Sequence, residues 1–311
     1  MASPAVEEAA ALLGDLARRD VPIGPMTTYR VGGPAALFVE LADATVVAAV
    51  KAAVTATGVD VLVVGKGSNL LVADRGFDGL AVTLGEAYGV IEVLEGERVR
   101  AGGAVSLPVL ARRTAAAALT GFEWAVGVPG SVGGAVRMNA GGHGSDMQAS
   151  LRHYVFADLR GGPDGEASAD ALRYAYRHSA VEPHQVVLFA ELQLAPGDRA
   201  ASEAEISEIV RWRREHQPGG QNAGSIFTNP DGDSAGRLID AAGLKGHRRG
   251  SAYVSPKHAN FFQADEGGSA DDVRGLIEEV QQRVEETTDV RLVPELRMIG
   301  FDGPPAERQT P

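Results

Sequence analysis

The eighteen residues from Gly127 to Gly144 include seven glycines, and this cluster restricts what the chain can fold into more than any other segment. Glycine loses more conformational entropy on folding than any other residue, so a packed element rarely contains so many. Backbone that approaches a ligand closely is the more typical reason. Ser131 and Asn139 add donors to the many amides, as a cofactor with a pyrophosphate would require. A purely structural role is the alternative.

A second glycine cluster, Gly65-Lys66-Gly67-Ser68-Asn69, follows directly after the strand-sized apolar run 61–64. Amides and a hydroxyl at the end of a strand can bind a phosphate group. The spacing matches neither the Rossmann fingerprint nor the Walker loop. An ordinary turn that ends a strand is the alternative interpretation.

Composition excludes several classes of function. A formal net charge of −12 disfavours sequence-independent binding to nucleic acid or to an anionic membrane. The absence of cysteine excludes disulfides, thiolate catalysis and cysteine-zinc sites, and it fits a reducing cytoplasm. The histidines show no metal-ligand spacing, no apolar run reaches the ~20 residues of a membrane helix, and no secretory signal is visible. We therefore expect no metal, no nucleic acid partner and no membrane insertion.

Periodicity predicts a chain of mixed helices and strands. A helix is expected over residues 5–19, and a βαβ-like unit follows with an extended stretch at 37–40, a helix at 44–57 and the strand at 61–64. Short β-like runs and a helix at 107–118 precede the glycine-rich stretch.

The last part of the chain is predicted to begin with a helix at 203–215. The clearest helix is 270–287, where Ser269 can cap the first turn and Asp272 falls at the capping-box position. The predicted organisation has five parts. They are an N-terminal helix (1–20), a first and a second cofactor-binding subdomain (21–80 and 81–200), a substrate-binding domain (201–302) and a disordered tail (303–311).

Two further residues, Arg177 and Glu295, have two interpretations when they are considered alone, and a third, Ser225, lacks the sequence pattern of one common role. Arg177 is either a surface charge or an anion-binding group. Ser225 lacks the Gly-x-Ser-x-Gly pattern of a hydrolase nucleophile. Glu295, which follows a proline among apolar residues, either pairs with Arg297 or belongs to a functional site.

Six motifs, taken in order, closely resemble the UDP-N-acetylenolpyruvoylglucosamine reductase family, also called UDP-N-acetylmuramate dehydrogenase. The resemblance covers about residues 20–301. The motifs are Thr27-Thr28-Tyr29-Arg30-Val31-Gly32-Gly33-Pro34, Gly65 to Leu71, Gly127 to Gly134 with Met138 to Gly141, Tyr176-Arg177-x-Ser179, Gly224-Ser225-x-Phe227-x-Asn229-Pro230, and Pro294-Glu295-Leu296-Arg297.

This resemblance implies a cytoplasmic flavoenzyme of bacterial peptidoglycan synthesis, with tightly bound FAD and with NADPH as co-substrate. The reaction reduces the enolpyruvyl ether of UDP-N-acetylglucosamine to UDP-N-acetylmuramate. The implied fold is α+β: two subdomains of the vanillyl-alcohol-oxidase/PCMH-like FAD-binding fold and a C-terminal α/β substrate-binding domain. We expect a monomer.

The resemblance also assigns catalytic roles. Arg177 would bind the substrate carboxylate bidentately and stabilise an enolate-like intermediate. Glu295 would share this role as a protonated acid. Ser225 would donate a proton to the carbanionic carbon.

Binding roles follow from the same motifs. The resemblance implies that Asn229 contacts the UDP-sugar. Further candidates for substrate binding are Arg214, Gln217 and Arg297. The predicted FAD contacts are Tyr29, Arg30, Gly32, Gly65, Lys66, Gly67, Ser68, Asn69, Leu70, Gly127, Pro129, Gly130, Ser131, Gly133, Gly134, Asn139, Ala140 and Gly141.

The chain resembles the shorter subtype of the family, because only about 45 residues separate Ser179 from Ser225 and leave no room for an inserted tyrosine-bearing loop. Two rival functions remain. A different oxidoreductase on the same fold would keep both glycine loops without needing Arg177, Ser225 and Glu295 together. A non-catalytic regulator that binds nucleotides or UDP-sugars would keep the loops and lose the acid groups.

Overall fold

The computed structural model describes residues 2–302, so the predicted tail at 303–311 lies outside the described residues. Helices and strands alternate irregularly along the chain, as the sequence predicts for an α+β protein. The α-helices are α1 (Pro4–Leu13), α2 (Ala44–Thr57), α3 (Leu107–Ala116), α4 (Val132–Met138), α5 (Arg199–His216), α6 (Ala235–Ala241) and α7 (Ala270–Thr288). No helix of the described part is long and apolar enough to cross a membrane.

The strands are short, and most of those predicted from the sequence are confirmed within a few residues. They are β1 (Arg18–Pro22), β2 (Pro34–Leu41), β3 (Val61–Val63), β4 (Leu70–Val72), β5 (Phe77–Leu84), β6 (Ile91–Leu94), β7 (Arg98–Gly102), β8 (Leu119–Thr120), β9 (Gly141–Gly142), β10 (Ser145–Asp146), β11 (Leu151–Asp158), β12 (Gly165–Ser168), β13 (Gln185–Gln193), β14 (Ala195–Pro196), β15 (Arg248–Arg249), β16 (Ala252–Val254), β17 (Phe262–Ala264) and β18 (Arg297–Ile299).

The described chain forms two compact units, and each is assembled from three separate segments. The first unit comprises residues 2–20, 36–66 and 78–213, and the second comprises 21–35, 67–77 and 214–302. The sequence predicts domains that follow one another along the chain. That division stays a prediction about which part binds the cofactor and which part binds the substrate.

The first unit contains two larger sheets, the two-stranded pairs β9-β10 and β8-β14, and two apolar cores. The strand orders of the larger sheets are β1-β2-β5-β3 and β12-β11-β13-β7-β6. In the four-stranded sheet β3 pairs in parallel with β5, and helix α2 connects β2 to β3 on either side of β5 in the strand order. One core surrounds Leu37 and Val50, and the other surrounds Leu110 and Trp124.

The second unit contains the antiparallel sheet β15-β16-β17, the parallel pair β4-β18 and helices α6 and α7. Its core includes the fully buried rings of Phe227 and Phe262, which meet edge to face. The predicted apolar face of α7 is confirmed, since all of its members are buried: Val273, Leu276, Ile277, Val280 and Val284.

The N-terminal helix is shorter than predicted. It ends at Leu13, because Gly14 adopts a φ of +53° and its amide donates to the Ala10 carbonyl. A short 3₁₀ turn follows, and from Arg18 onward the chain is a strand of the first sheet. The prediction of helix as far as residue 19 is therefore wrong beyond Leu13, since glycine accepts the left-handed conformation that closes a helix.

The start of α7 confirms one predicted cap and corrects the other. Ser269 Oγ accepts a hydrogen bond from the Asp272 amide at 3.1 Å. Asp272 does not complete the capping box, because its carboxylate accepts from the amide and the hydroxyl of Ser251, both at 2.8 Å. These bonds hold the pKa of Asp272 below its usual range. The Ser269 amide donates instead to Ser251 Oγ, at 2.8 Å.

Replacing Ser269 by alanine should lower the free energy of unfolding by about 1 kcal/mol, because the Asp272 amide loses its acceptor and the Asp74 carboxylate loses the bond from the Ser269 hydroxyl. Asp74 still caps the amides of Ala270 and Asp271 in the variant. Urea denaturation followed by far-UV circular dichroism measures the change. Ser207 is the matched control, since its hydroxyl lies on the exposed surface of α5 and only bonds the Glu203 carbonyl. Ser207→Ala should stay within about 0.5 kcal/mol of the wild type. Equal stability of the two variants would contradict the capping role.

Candidate active site

The glycine-rich stretch in the first unit is held rigidly against the chain segment that precedes α3. The Leu107 amide donates to the Gly130 carbonyl at 2.9 Å, and the Val132 amide donates to the Val105 carbonyl at 2.8 Å. Part of the stretch is helix α4, and a Cβ at Gly133 would lie 3.2 Å from two carbonyl oxygens. Close packing therefore explains why residue 133 is glycine. At this position the purely structural role, which is the alternative to ligand contact, is sufficient.

The turn after β3 approaches the same stretch. A Cβ at Gly65 would lie 2.7 Å from Ser131 Oγ, so that only glycine lets the two segments come this close. Ser131 and Ser106 form an isolated antiparallel bridge whose hydrogen bonds are made by the flanking residues, which directs the Ser131 amide away from Ser106. Among the described residues, the amides of Gly65, Lys66 and Ser131 have no acceptor.

These amides provide a test of whether the residues fit a cofactor. Ser131 is only 4% exposed, and a buried amide without an acceptor is rare in proteins unless a ligand supplies one. Gly65 and Lys66 are exposed and adjacent to it in the folded unit. Unpartnered amides on two neighbouring segments are suited to bind a phosphate group, so the residues present fit a cofactor that carries one.

Arg177 lies on a tight turn with an unusual backbone conformation. Its φ is +54°, which is rare for a residue with a side chain and costs about 1–3 kcal/mol unless the surroundings enforce it. The amides of Ala175 and His178 each donate to the other residue's carbonyl, which closes the turn. Arg177 Nη1 donates to the Gly141 carbonyl at 3.1 Å. The structure thus brings the predicted catalytic arginine to the predicted cofactor-binding stretch.

Two side chains fix this turn to the end of α4. The Tyr174 hydroxyl donates to the Val136 carbonyl at 2.9 Å, and Ser179 Oγ donates to the Arg137 carbonyl at 2.6 Å. Burial raises the pKa of Tyr174, so its hydroxyl remains a donor across the physiological range. Helix α4 therefore determines where the arginine turn lies.

Asn139, a predicted cofactor ligand, uses its whole side chain inside the first unit. Its Nδ2 donates to Asp146 Oδ2 at 3.1 Å and to the Ala175 carbonyl at 3.3 Å. Its Oδ1 accepts from the Gln148 amide at 3.0 Å. Both amide hydrogens are thus occupied, and a contact of Asn139 with FAD through its backbone stays a prediction.

In the second unit, Ser225 and Glu295 lie on neighbouring extended segments. The Glu295 amide donates to the Ile226 carbonyl at 2.7 Å, and the Thr228 amide donates to the Val293 carbonyl at 2.9 Å. Ser225 and Glu295 are both partly buried. Two residues that are 70 positions apart in the chain, and that were singled out separately from the sequence, therefore lie close together.

Asn69 extends this arrangement. Its Nδ2 donates to the Glu295 carbonyl at 3.1 Å, and the Arg297 amide donates to the Asn69 carbonyl at 3.2 Å. Leu70 then pairs with Arg297 where β4 and β18 run parallel. The end of the second glycine cluster is thereby joined to the motif that carries Glu295.

Tyr29 lies elsewhere in the second unit, and its ring is fully buried with Val31 and Leu71 in the apolar core. Burial raises the pKa of its hydroxyl, which has no hydrogen-bond partner among the described residues. The side chain of Tyr29 is therefore part of the packing, whereas Arg30 beside it is exposed.

Two of the predicted substrate residues, Asn229 and Arg214, lie on the exposed surface. Asn229 is exposed, and its Oδ1 accepts from the Ala235 amide at the start of α6, which leaves Nδ2 to bind a ligand. Arg214 is exposed near the end of α5, and Lys257 Nζ donates to its carbonyl at 2.6 Å. Sequence reasoning missed Asn260, which holds the segment after Ser225; a polar residue inside the apolar stretch 259–262 was the available signal.

Together with its similarity to known families, the α+β fold of this chain defines an FAD-binding oxidoreductase. The FAD binding domain family matches residues 35–159. Residues 216–299 match the C-terminal domain of UDP-N-acetylenolpyruvoylglucosamine reductase. The chain belongs to the UDP-N-acetylenolpyruvoylglucosamine reductase family, which confirms the expectation from the six motifs.

Individual relatives agree over nearly the whole chain. The enzyme of that name from Heliobacterium modesticaldum is 41% identical over 285 residues, which cover 91% of this chain and 90% of the relative. The one from Acidiphilium cryptum is 40% identical over 307 residues, with 97% and 98% covered. The crystal structure of UDP-N-acetylenolpyruvylglucosamine reductase from Thermus caldophilus superposes with a TM-score of 0.79 at 32% identity, covering 91% of this chain and 99% of that one.

Proposed function

We propose that this protein reduces UDP-N-acetylglucosamine enolpyruvate to UDP-N-acetylmuramate, with NADPH as the source of hydride. The proposal depends above all on the pairing of the Ser225 and Glu295 segments, in which the Glu295 amide donates to the Ile226 carbonyl. This backbone pairing makes neighbours of the two segments that carry a hydroxyl and a carboxyl group, in a family whose name specifies the reductase reaction. FAD, when bound, supplies the hydride-transfer chemistry.

The chemistry requires a hydride at the vinyl methylene carbon and a proton at the adjacent carbon. Negative charge develops on that adjacent carbon and on its carboxylate while the hydride arrives. Arg177 would bind the carboxylate and stabilise this charge, for which a planar guanidinium is better suited than an ammonium. Its left-handed backbone and its bond to Gly141 support the assignment, because both hold the guanidinium in one place.

Ser225 and Glu295 complete the reaction. Ser225 would give its hydroxyl proton to the carbanionic carbon, and a water would restore that proton afterwards. A serine hydroxyl is a weak acid, so the step requires a strongly basic intermediate and close placement. Glu295 would bind the carboxylate oxygens together with Arg177. The backbone bonds on either side of the Ser225 segment support this assignment, because they hold the segment in one position.

The remaining assignments form part of the same proposal. The UDP-sugar would be bound by Asn229, with Arg214 and Gln217 at its diphosphate, and Arg297 would either orient Glu295 or contact the substrate. Residues 201–302 would be the part of the chain that binds substrate. FAD would contact the two glycine clusters in segments 21–80 and 81–200. We also assign the protein to the cytoplasmic synthesis of peptidoglycan precursors, as a monomer of the shorter subtype.

An anaerobic experiment tests this function directly. The purified yellow protein is reduced with NADPH, and UDP-N-acetylglucosamine enolpyruvate is then added. Bleaching by NADPH followed by stoichiometric return of the colour with the UDP-sugar would support both half-reactions. Bleaching without reoxidation would reject the substrate and favour another oxidoreductase on this fold. Stable flavin colour that NADPH does not change would favour a non-catalytic regulator.

Replacing Gly67 by alanine should strongly reduce the flavin content of the purified protein. A Cβ at Gly67 would lie 2.5 Å from both the Met26 carbonyl oxygen and Thr27 Cα, at a φ of +60°. The backbone around Thr28, whose amide donates to the Gly67 carbonyl, would have to move. The ratio of flavin to protein absorbance measures the loss.

Gly58 is the matched control for this prediction. Its φ is +66°, but a Cβ there would meet nothing within 4 Å. Gly58→Ala should therefore show only the conformational cost of about 1 kcal/mol, with unchanged flavin content. Loss of flavin from both variants to the same extent would show that general destabilisation, and not the position of the Gly67 turn, is responsible.

A further inference from the structure

Asn260 is an almost completely buried polar residue of the second unit, with 3% of its surface exposed. Its side chain makes two hydrogen bonds to the backbone of one residue. Phe227 N donates to Asn260 Oδ1 at 3.0 Å, and Asn260 Nδ2 donates to the Phe227 carbonyl at 2.8 Å. The side-chain amide therefore makes the two hydrogen bonds to Phe227 that a peptide group of a neighbouring strand would otherwise make.

The backbone of Asn260 strengthens this contact. The Ile226 amide donates to the Asn260 carbonyl at 2.9 Å, and Ser225 forms an isolated bridge with Phe261. The Asn260 amide donates to His258 Nδ1 at 3.3 Å. Burial lowers the pKa of His258, so its ring stays neutral and able to accept. The bond to His258 holds the backbone of Asn260 in place, and the Asn260 side chain in turn binds the segment that begins at Ser225.

The opposite edge of the same segment carries Glu295. The Ile226 carbonyl accepts from the Glu295 amide at 2.7 Å, so residues 225–228 lie between Asn260 on one edge and residues 293–295 on the other. A movement of this segment would therefore displace both Ser225 and Glu295. Asn260 bonds both the amide and the carbonyl of a single residue in this segment, Phe227.

We propose that Asn260 is a positioning residue, which sets the placement of Ser225 and Glu295 for protonation of the substrate. This inference rests on the proposed function. Asn260 acts through the backbone of residues 226–227 and does not touch the reacting atoms. Without its side chain, two buried backbone groups of Phe227 lose their partners, and the segment must shift to regain them.

The first test is Asn260→Ala in the flavin-loaded protein, with the two half-reactions measured separately by stopped-flow absorbance. A misplacement of about 1 Å can cost about 10²-fold in rate. We expect reoxidation by saturating UDP-N-acetylglucosamine enolpyruvate to slow by about that factor. Reduction by NADPH should stay within about twofold of the wild type, because it needs no proton from Ser225.

The matched control is Ser269→Ala, which destabilises the same unit at the start of α7 without contacting residues 225–228. Both of its half-reactions should remain within about twofold of the wild type. The split between the two half-reactions therefore separates positioning from a general loss of stability, which would slow both.

Asn260→Asp is a second variant, in case the alanine variant folds poorly. A protonated carboxyl can donate to the Phe227 carbonyl and accept from the Phe227 amide, whereas a carboxylate can only accept. Burial favours the protonated form, so the reoxidation rate relative to the wild type should rise at least about fivefold from about pH 8 to about pH 6. The titratable groups that flank this segment, His258 and Glu295, are common to both proteins, so their own titrations cancel in this ratio.

The outcomes distinguish a failure of the positioning role of Asn260 from a failure of the proposed function. Selective loss of reoxidation in Asn260→Ala, or its recovery at low pH in Asn260→Asp, supports the positioning role. If the wild type is reoxidised by the UDP-sugar and both variants behave like it, or lose both half-reactions equally at every pH, the role of Asn260 is wrong. If the reduced wild type ignores the UDP-sugar, the proposed function itself fails, and the positioning role fails with it.

Discussion

The Ser225→Ala variant should keep the reduction of its flavin by NADPH but lose about 10²–10⁴-fold in the rate of reoxidation by UDP-N-acetylglucosamine enolpyruvate. The reason is that only the second half-reaction needs a proton at the carbanionic carbon. Ser225 is partly buried, and its segment is bonded to neighbours on both edges. The alanine therefore removes the hydroxyl without removing the bonds that hold the backbone.

Stopped-flow measurement of the two half-reactions under anaerobic conditions gives this result directly. Ser269→Ala serves again as the serine-to-alanine control in the same unit, and it should change neither rate by more than about twofold. If Ser225→Ala reoxidises at a rate near that of the wild type, another group donates the proton and the assignment of Ser225 is wrong.

Arg177→Lys should lower kcat/KM for the UDP-sugar by about 10²–10³-fold, although the positive charge is kept. An ammonium cannot form the two parallel hydrogen bonds that a guanidinium makes to a carboxylate. The bond from Arg177 Nη1 to the Gly141 carbonyl would also be lost or lengthened. Steady-state kinetics with saturating NADPH, on protein of measured flavin content, gives the size of the effect.

Arg173 provides a control with the same residue type and backbone conformation. It lies four residues before Arg177, is exposed, and has a φ of +44°. Arg173→Lys should leave kcat/KM within about twofold of the wild type, because the side chain has no assigned role. Similar losses in both variants would indicate disruption of the turn, and a wild-type value in Arg177→Lys would remove Arg177 from the mechanism.

The local features of the fold could be predicted because their causes lie within a few residues of each other. Helix α2 matches its predicted bounds, since Asp43 caps its first turn and Gly58 closes its last. The apolar spacing of α7 likewise specified its buried face before any partner was known. The helix predicted over residues 5–19 ends early at Leu13, where Gly14 closes it locally, and the tertiary structure adds that residues from Arg18 onward bond to another strand.

The six motifs identified the family and several site residues, but their arrangement was not contained in the sequence pattern. Asn69 and the Glu295 carbonyl are 226 residues apart in the chain and meet only after folding. Asn139 looked like a cofactor ligand because its residue type suits one, and the structure shows a side chain occupied by Asp146, Gln148 and Ala175.

The sequence by itself determined the local helices, the two glycine clusters and the family of this protein, because periodicity, capping and motif order are read along the chain. Tertiary structure alone decided that the Ser225 and Glu295 segments are neighbours and that Asn260 holds the first of them. Hydrogen bonds between distant segments depend on how the whole unit packs, and no local pattern records which buried donor will meet which acceptor.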